Sequence, residues 1–354
     1  MAALGCVLLL IGGASCSLEG EDVPVLAPAE GEVQIEFKLP GEVADQGIAT
    51  RSGTLPTGMT PHPLPEGTTV WMSILQKDGS GQWVSGKPKA YRILATDAGV
   101  NSLHACGYNE VTENGENLLR IDPSIITTPL YLKPGEYKFR MIAPAIDLRV
   151  TDLKARIDNG MYFYATDDRY EETKAEEFTV AAPSGNEIQY INLKPMIQQV
   201  ARLQFTLYKG NNVNDLEILP AGIEVSGIQN TDELKPYNWG SESLADTLVM
   251  KMGDKRGLVK ITEFQTSTVE VDGAEKDCII GHTGVLPTDA VNNSISVLLN
   301  LRVNGVPTQY MTLLNTQKLF AAYTYNYRMA IGLEDGVVVV TWQNQSWGTD
   351  VTLN

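Results

Sequence analysis

The sequence predicts an all-β protein built as two tandem β-sandwich domains, and three observations lead there. Short runs of alternating apolar and polar residues recur along the chain, clusters of Gly, Pro and Asn separate them, and no stretch sustains a helical period. At 354 residues with 43% hydrophobic content, the chain can build more than one core.

The first regular run is Val33 to Leu39, V-Q-I-E-F-K-L, which alternates over its whole length. It predicts a half-buried strand about 23 Å long, with Val33, Ile35, Phe37 and Leu39 facing a core. From Pro40 to Gly67 the chain holds five prolines and five glycines and cannot continue a ladder, so a long loop is expected, with Arg51 in its middle. Strands resume at Thr69 to Leu75, followed by an Asp-Gly hairpin turn within Lys77 to Gly81. Pro134-Gly135 turns the chain into a strand that puts Tyr137, Phe139 and Met141 on one face and Lys138 and Arg140 on the other. Met161 to Ala165 and Glu177 to Val180 read as two short strands, while Pro123 to Ile126 and Thr316 to Phe320 are the best short helical candidates.

The small polar breaker Ala182-Pro183-Ser184-Gly185 divides the chain. The expected organisation is a leader over 1–15, a tether over 16–30, a first β-sandwich over 31–185 and a second over 186–354. Ala201 to Leu207 opens the second half with another clean alternation, and Ser294 to Val303 aligns Ile295, Val297, Leu299, Leu301 and Val303. Tyr323, Tyr325, Tyr327, Met329 and Ile331 form a stripe opposite Thr324, Asn326 and Arg328. Asp335-Gly336 then predicts a tight hairpin into Val337 to Trp342, and the tail from Trp347 reads as an edge strand or a free arm.

The apolar run Val7 to Ile11, the small residues Gly12 to Ser15 and Cys16 have the form of a lipoprotein signal and its cleavage point, although no Lys or Arg precedes the run. The segment from Ala2 to Ser15 is shorter than the roughly 20 residues of a spanning helix, so a removable leader is expected. A Cys16 bearing several acyl chains would hold the protein to a membrane. The acidic stretch Ser17 to Asp22 that follows resembles the export tags of lipoproteins moved to the outer face of an outer membrane, an ordinary solvated tether being the alternative reading. The net charge of −16, with no cluster of Lys and Arg, argues against nucleic acid as a partner. Cys106 and Cys278 either pair across the two halves or stay as separate buried thiols, the latter being the commoner fate.

Several marks in order resemble the fimbrillin-like proteins of type V pili: Cys16 in its lipoprotein context, Pro63-Leu64-Pro65-Glu66-Gly67-Thr68-Thr69-Val70, Leu132 to Phe139, Gln199 to Phe205, and Tyr325-Asn326-Tyr327 through Trp347. The resemblance implies two β-sandwich domains of transthyretin-like or Greek-key type on a lipoprotein precursor displayed at the outer membrane and placed in a fimbrium after processing. It further implies that an Arg-specific protease, here acting at Arg51, removes the first strand, Val33 to Leu39. A strand from another pilus subunit would then fill the vacancy, making β-strand addition the expected mode of partnership. The short tail after Trp347 departs from the plainest donor pattern.

Catalytic chemistry finds little footing. There is no G-x-S-x-G, P-loop, G-x-G-x-x-G or H-E-x-x-H, and His62, His104 and His282 are scattered, so no enzyme activity, cofactor or metal site is expected. The acids Asp167-Asp168, Glu171-Glu172 and Glu176-Glu177 read as a solvated acidic loop, and Lys209 to Glu217 as an Asn-rich turn without EF-hand spacing. Tyr237 and Trp239, an aromatic pair in a polar loop, are candidates for stacking on host or bacterial glycans, and this gives a second reading as a monomeric, lipid-anchored glycan binder. Asp246-Thr247-Leu248 resembles an O-glycosylation acceptor at Thr247. The lipid expectation is checked directly: Cys16→Ala should move the protein from the detergent phase to the aqueous phase, and native material starting elsewhere than at an acylated Cys16 would contradict it.

Overall fold

A computed structural model describes residues 29–43, 62–97, 100–168, 171–185, 188–230, 232–234, 256–271, 273–289, 294–314 and 318–343. Among them the chain is all-β and contains no helix. The strands of the first half are β1 Val33–Leu39, β2 Glu42–Val43, β3 Thr69–Lys77, β4 Trp83–Ser85, β5 Lys89–Asp97, β6 Val100–Glu113, β7 Glu116–Ile126, β8 Leu130–Leu132, β9 Gly135–Ala143, β10 Leu148–Arg149, β11 Ala155–Ile157, β12 Tyr164–Ala165, β13 Glu177–Val180, β14 Ile188–Asn192 and β15 Met196–Gln198. The second half continues with β16 Ala201–Lys209, β17 Leu216–Gln229, β18 Asp232–Leu234, β19 Arg256–Ile261, β20 Gln265–Val271, β21 Ala274–Val285, β22 Thr288–Asp289, β23 Ser296–Val303, β24 Val306–Leu313, β25 Lys318–Leu319, β26 Thr324–Glu334 and β27 Val337–Gln343.

Strands β1 to β15, joined by β18, form one 16-stranded hydrogen-bonded system with branches. At β3 it is buried on both faces, so consecutive residues of that strand enter different cores. Val70, Met72 and Ile74 pack with β1, β5 and β9, whereas Trp71 packs with Ile142, Phe163 and Ala165 on the other side. Strands β20-β21-β16-β26-β27 form a five-stranded sheet, and β19-β17-β23-β24 a four-stranded one. Their inner faces meet over Leu203, Phe205, Val225, Val297, Leu299, Met329 and Ile331, which gives a sandwich with a shared core.

The two halves are stitched by polar bonds around Asn159. Its Nδ2 donates to the Gln229 carbonyl at 2.6 Å, and its Oδ1 accepts from the Leu286 amide at 2.9 Å. The Gly160 amide donates to Gly284 at 2.8 Å, and a side chain at Gly284 would meet the Met161 carbonyl. Beside them, Tyr162 Oη and His282 Nδ1 are 3.0 Å apart. Burial and the nearby Arg202 push the His282 pKa down.

Alternation placed the well-ordered strands correctly, and the departures have local causes. The residues Pro123 to Ile126 lie in β7 rather than in a helix: positions 123–125 bulge out between the Gly107–Asp122 and Cys106–Ile126 pairs with β6. Of the other helical candidate, Lys318 and Leu319 are paired with β22 and residues 315–317 lie outside the described residues. Only Tyr164–Ala165 of the 161–165 run is a strand. The turn after β3 is hairpin-forming, but Asp78 pairs with Gln82 and the left-handed residue is Gly81 (φ 81°), which makes a three-residue loop rather than a two-residue Asp-Gly turn. Asp335-Gly336, with φ of 49° and 80°, is the expected tight turn, and Asn114-Gly115 and Asn304-Gly305 repeat it.

Buried polar groups contradict the reading of Asp167-Asp168 as part of a solvated acidic loop. Arg140 is fully buried and paired with Asp168, whose other oxygen accepts from the Ala175 amide at 3.1 Å. Asp167 is also buried, bonded by Gln199 Nε2 at 3.1 Å, so these two acids organise a turn instead of forming a solvated loop. Cys106 and Cys278 are separate buried thiols, both with pKa raised by burial.

The Asn-rich turn after β16 is held by Asn304. Its Oδ1 accepts from the Asn214 and Asp215 amides at 2.8 and 3.0 Å, and its Nδ2 donates to the Asn212 carbonyl at 2.9 Å. Its φ of 48° adds a backbone demand that Asn tolerates better than most residues. Replacing Asn304 by Ala should therefore lower stability by about 2 kcal/mol, read as a drop in the urea midpoint with an unchanged slope.

Candidate functional site

The first strand sits inside the fold, not on its margin. On one side β1 runs parallel to β14, with Gln34 opposite Ile188 and Lys38 opposite Asn192. On the other side its first three residues pair antiparallel with β8, and its last three pair antiparallel with β6. Both backbone edges are thus satisfied, by three strands that are distant in sequence.

The predicted inward residues are those that the structure buries. Val33, Ile35, Phe37 and Leu39 are at most 6% exposed. Phe37 sets its ring edge-on to Phe139 at 4.8 Å and to Tyr91 at 5.7 Å between centroids. Burying each side chain is worth about 1.5–3 kcal/mol, so the four together contribute on the order of 10 kcal/mol. An empty slot would expose that apolar surface and two rows of unpaired backbone groups.

After β1 the chain makes one more short contact before residues 44–61, which include Arg51 and lie outside the described residues. Strand β2 lies parallel to β15, and the Glu42 amide and carbonyl exchange two 2.8 Å hydrogen bonds with His62. Glu42 and His62 are thus held side by side. Gly41 allows this closure: its φ is 112°, and a Cβ there would lie 2.0 Å from the His62 carbonyl oxygen. Beyond His62, buried Asn101 clamps the returning chain, accepting from the Leu64 amide at 2.8 Å and donating to the Leu64 carbonyl at 2.9 Å.

One group in this joint is poorly satisfied. The Glu42 Oε2 atom is buried without a hydrogen-bond partner, and burial raises the carboxyl pKa to about 7. Tyr164 on β12 senses its charge, and Arg202 on β16 faces Tyr164 and Tyr162. Neither compensates the Glu42 carboxylate, whose shift comes from desolvation alone. No cluster of metal-binding side chains occurs among the described residues.

Of the other residues singled out in the sequence, Cys16, Arg51, Tyr237, Trp239 and Thr247 lie outside the described residues, as does the tail from Trp347. What the alternation of β1 could not reveal is its parallel partner β14, about 150 residues further on, or the Gly41–His62 closure; an invitation to look lay only in the Pro40-Gly41 pair that ends the strand.

The arrangement defines a many-stranded β protein whose first strand fills a slot between strands of its own fold. The profile of the fimbrillin-like family matches residues 32–351, and the chain belongs to that family. Among solved structures it is similar to a candidate cell adhesion protein from Bacteroides fragilis NCTC 9343, with 35% identity over 91% of this chain and all of that one and a TM-score of 0.65. A candidate cell adhesion protein from Bacteroides ovatus ATCC 8483 is 12% identical over 90% of this chain and 99% of that one, with a TM-score of 0.47. No curated protein matches the chain.

The Glu42 carboxyl gives a pH signature. Its pKa is raised in the folded state, so the stability it permits is complete below the unfolded value near 4.5 and is lost as pH rises through about 7. Glu42→Gln should change stability little at about pH 5 and raise it by about 2–3 kcal/mol at about pH 8. Denaturant melts of both proteins across that range check this, and a difference that does not grow with pH would contradict it.

Proposed function

We propose that the protein is a surface structural or adhesive subunit of a type V pilus, exported as a lipoprotein and assembled by strand exchange after its first strand is removed. The observation that carries the reading is the position of β1, with partners on both edges and four apolar side chains in a core, on a segment joined to the rest only through residues 44–61. Family membership and the 35% identical candidate cell adhesion protein support a place at the cell surface and a part in adhesion.

In this reading a cut after Arg51 frees a piece holding both β1 and β2, together with the lipid at Cys16. Release from the outer membrane and opening of the slot then follow from one peptide bond. A strand from another subunit restores the ladder to β14 on one side and to β8 and β6 on the other, and apolar residues at every second position fix its register. The subunit thereby does its work through main-chain pairing and needs no catalytic group. Two β-sandwich units, over 31–185 and 186–354, suit a pilus subunit; strands β14 and β15, just past that division, still pair with β1, β2 and β12, and β16 begins the next sheet.

Limited digestion of the purified precursor with an Arg-specific protease tests the proposal. A cut after Arg51 should be followed by loss of the 33–39 segment and by oligomers when a partner subunit is supplied. A cut chain that retains this segment and stays monomeric in the partner's presence would overturn it, as would surface fibres whose subunits still begin before Arg51.

A further inference from the structure

Above the buried face of β1 lies a second feature, on its outward side. Strand β1 changes partners at Glu36, from β8 to β6, and at the same level β6 begins to leave β1 for β7. The diverging strands leave a groove of about 340 Å³, at the small end of the ligand-site range. Its floor is the outward side chains of β1, and its walls come from β5, β6, β14 and the connection after β7.

The register draws four side chains into one row across this groove. Tyr190 lies directly opposite Glu36. His104, the next residue after the Leu103 that faces Phe37, stands on the other side of Glu36, and Arg92 is its cross-strand neighbour. Tyr190 is 56% exposed, an unusual degree for an aromatic ring beside a groove, and Lys38 Nζ stands 5.2 Å from its centroid. Gln34 donates to Glu36 at 3.3 Å. Among the described residues, neither the Arg92 guanidinium nor the His104 ring has a hydrogen-bond or ion-pair partner.

We propose that this groove binds a saccharide carrying a carboxylate, with the Tyr190 ring against a sugar face and Arg92 on the acid group. An exposed ring flanked by planar polar side chains offers what a sugar needs, an apolar face with hydrogen-bond groups at its margin. The guanidinium presents a fork that matches a carboxylate in two parallel bonds, and Lys38 adds a second cation to a chain of net charge −16. A peptide is disfavoured here: both backbone edges of β1 are already paired, so the floor offers side chains and no free ladder. The site belongs to the chain with its own β1 in place and holds whether or not that strand is ever exchanged. Exchange would replace Gln34, Glu36 and Lys38 by the incoming strand's side chains and so alter the floor.

The test uses the soluble Cys16→Ala chain with β1 intact, titrated calorimetrically with N-acetylneuraminic acid, a methyl glucuronide, methyl glucoside and an acidic hexapeptide. An acidic sugar should bind, with at least tenfold weaker binding in Tyr190→Ala and in Arg92→Gln and with thermal midpoints unchanged. Failure of both acidic sugars to bind would overturn the proposal. So would equal binding by both variants, preference for the neutral sugar, or binding of the hexapeptide alone.

Discussion

The slot that β1 fills is the constraint on which the rest of the first half depends. Strands β6, β8 and β14 come from three separate places in the chain, and β1 is what joins them into one ladder. Its apolar side chains also close the core formed by Met72, Tyr91, Phe139 and Met141. A strand with such a role cannot be left out without a substitute, because hydrophobic burial and backbone pairing are lost together. On the proposed strand exchange, the same pairing and burial would be offered to an incoming strand with the right alternation.

Against this strong seat stands a joint with features that favour parting. Strand β2 is two residues long, its Glu42 carboxyl is buried without a partner, and its closure with His62 is possible only because position 41 is glycine. Near neutral pH an ionised Glu42 works against the burial of β2, whereas β1 itself carries no such cost. The segment is thus weakest where it meets the loop and strongest along the four buried side chains. Release would begin at the β2 end once the connection is cut.

Much of this was legible in the sequence, and what was not has physical reasons. The faultless alternation of β1 predicted which side chains are buried, because a period of two admits one inward face, whereas in β16 the polar face with Gln204 and Thr206 is buried as well. Asp335-Gly336 announced its hairpin, while Asn114-Gly115 and Asn304-Gly305 carry the same signal and went unused. Alternation set Arg140 on the face opposite Phe139 but could not show that this face is covered too, where Asp168 meets the guanidinium. The sheet neighbours of β1 and the row from Tyr190 to Arg92 depend on pairing across long separations, which local pattern does not encode.

The account rests on β1 being replaceable by an equivalent strand. A labelled peptide spanning residues 31–43 can be added to chain cleaved after Arg51, and its incorporation followed by fluorescence anisotropy. The account predicts saturable uptake that competes with the resident segment and is abolished when Phe37 and Leu39 of the peptide are changed to Asp. Absence of uptake over days, with the resident strand still in place, would contradict it.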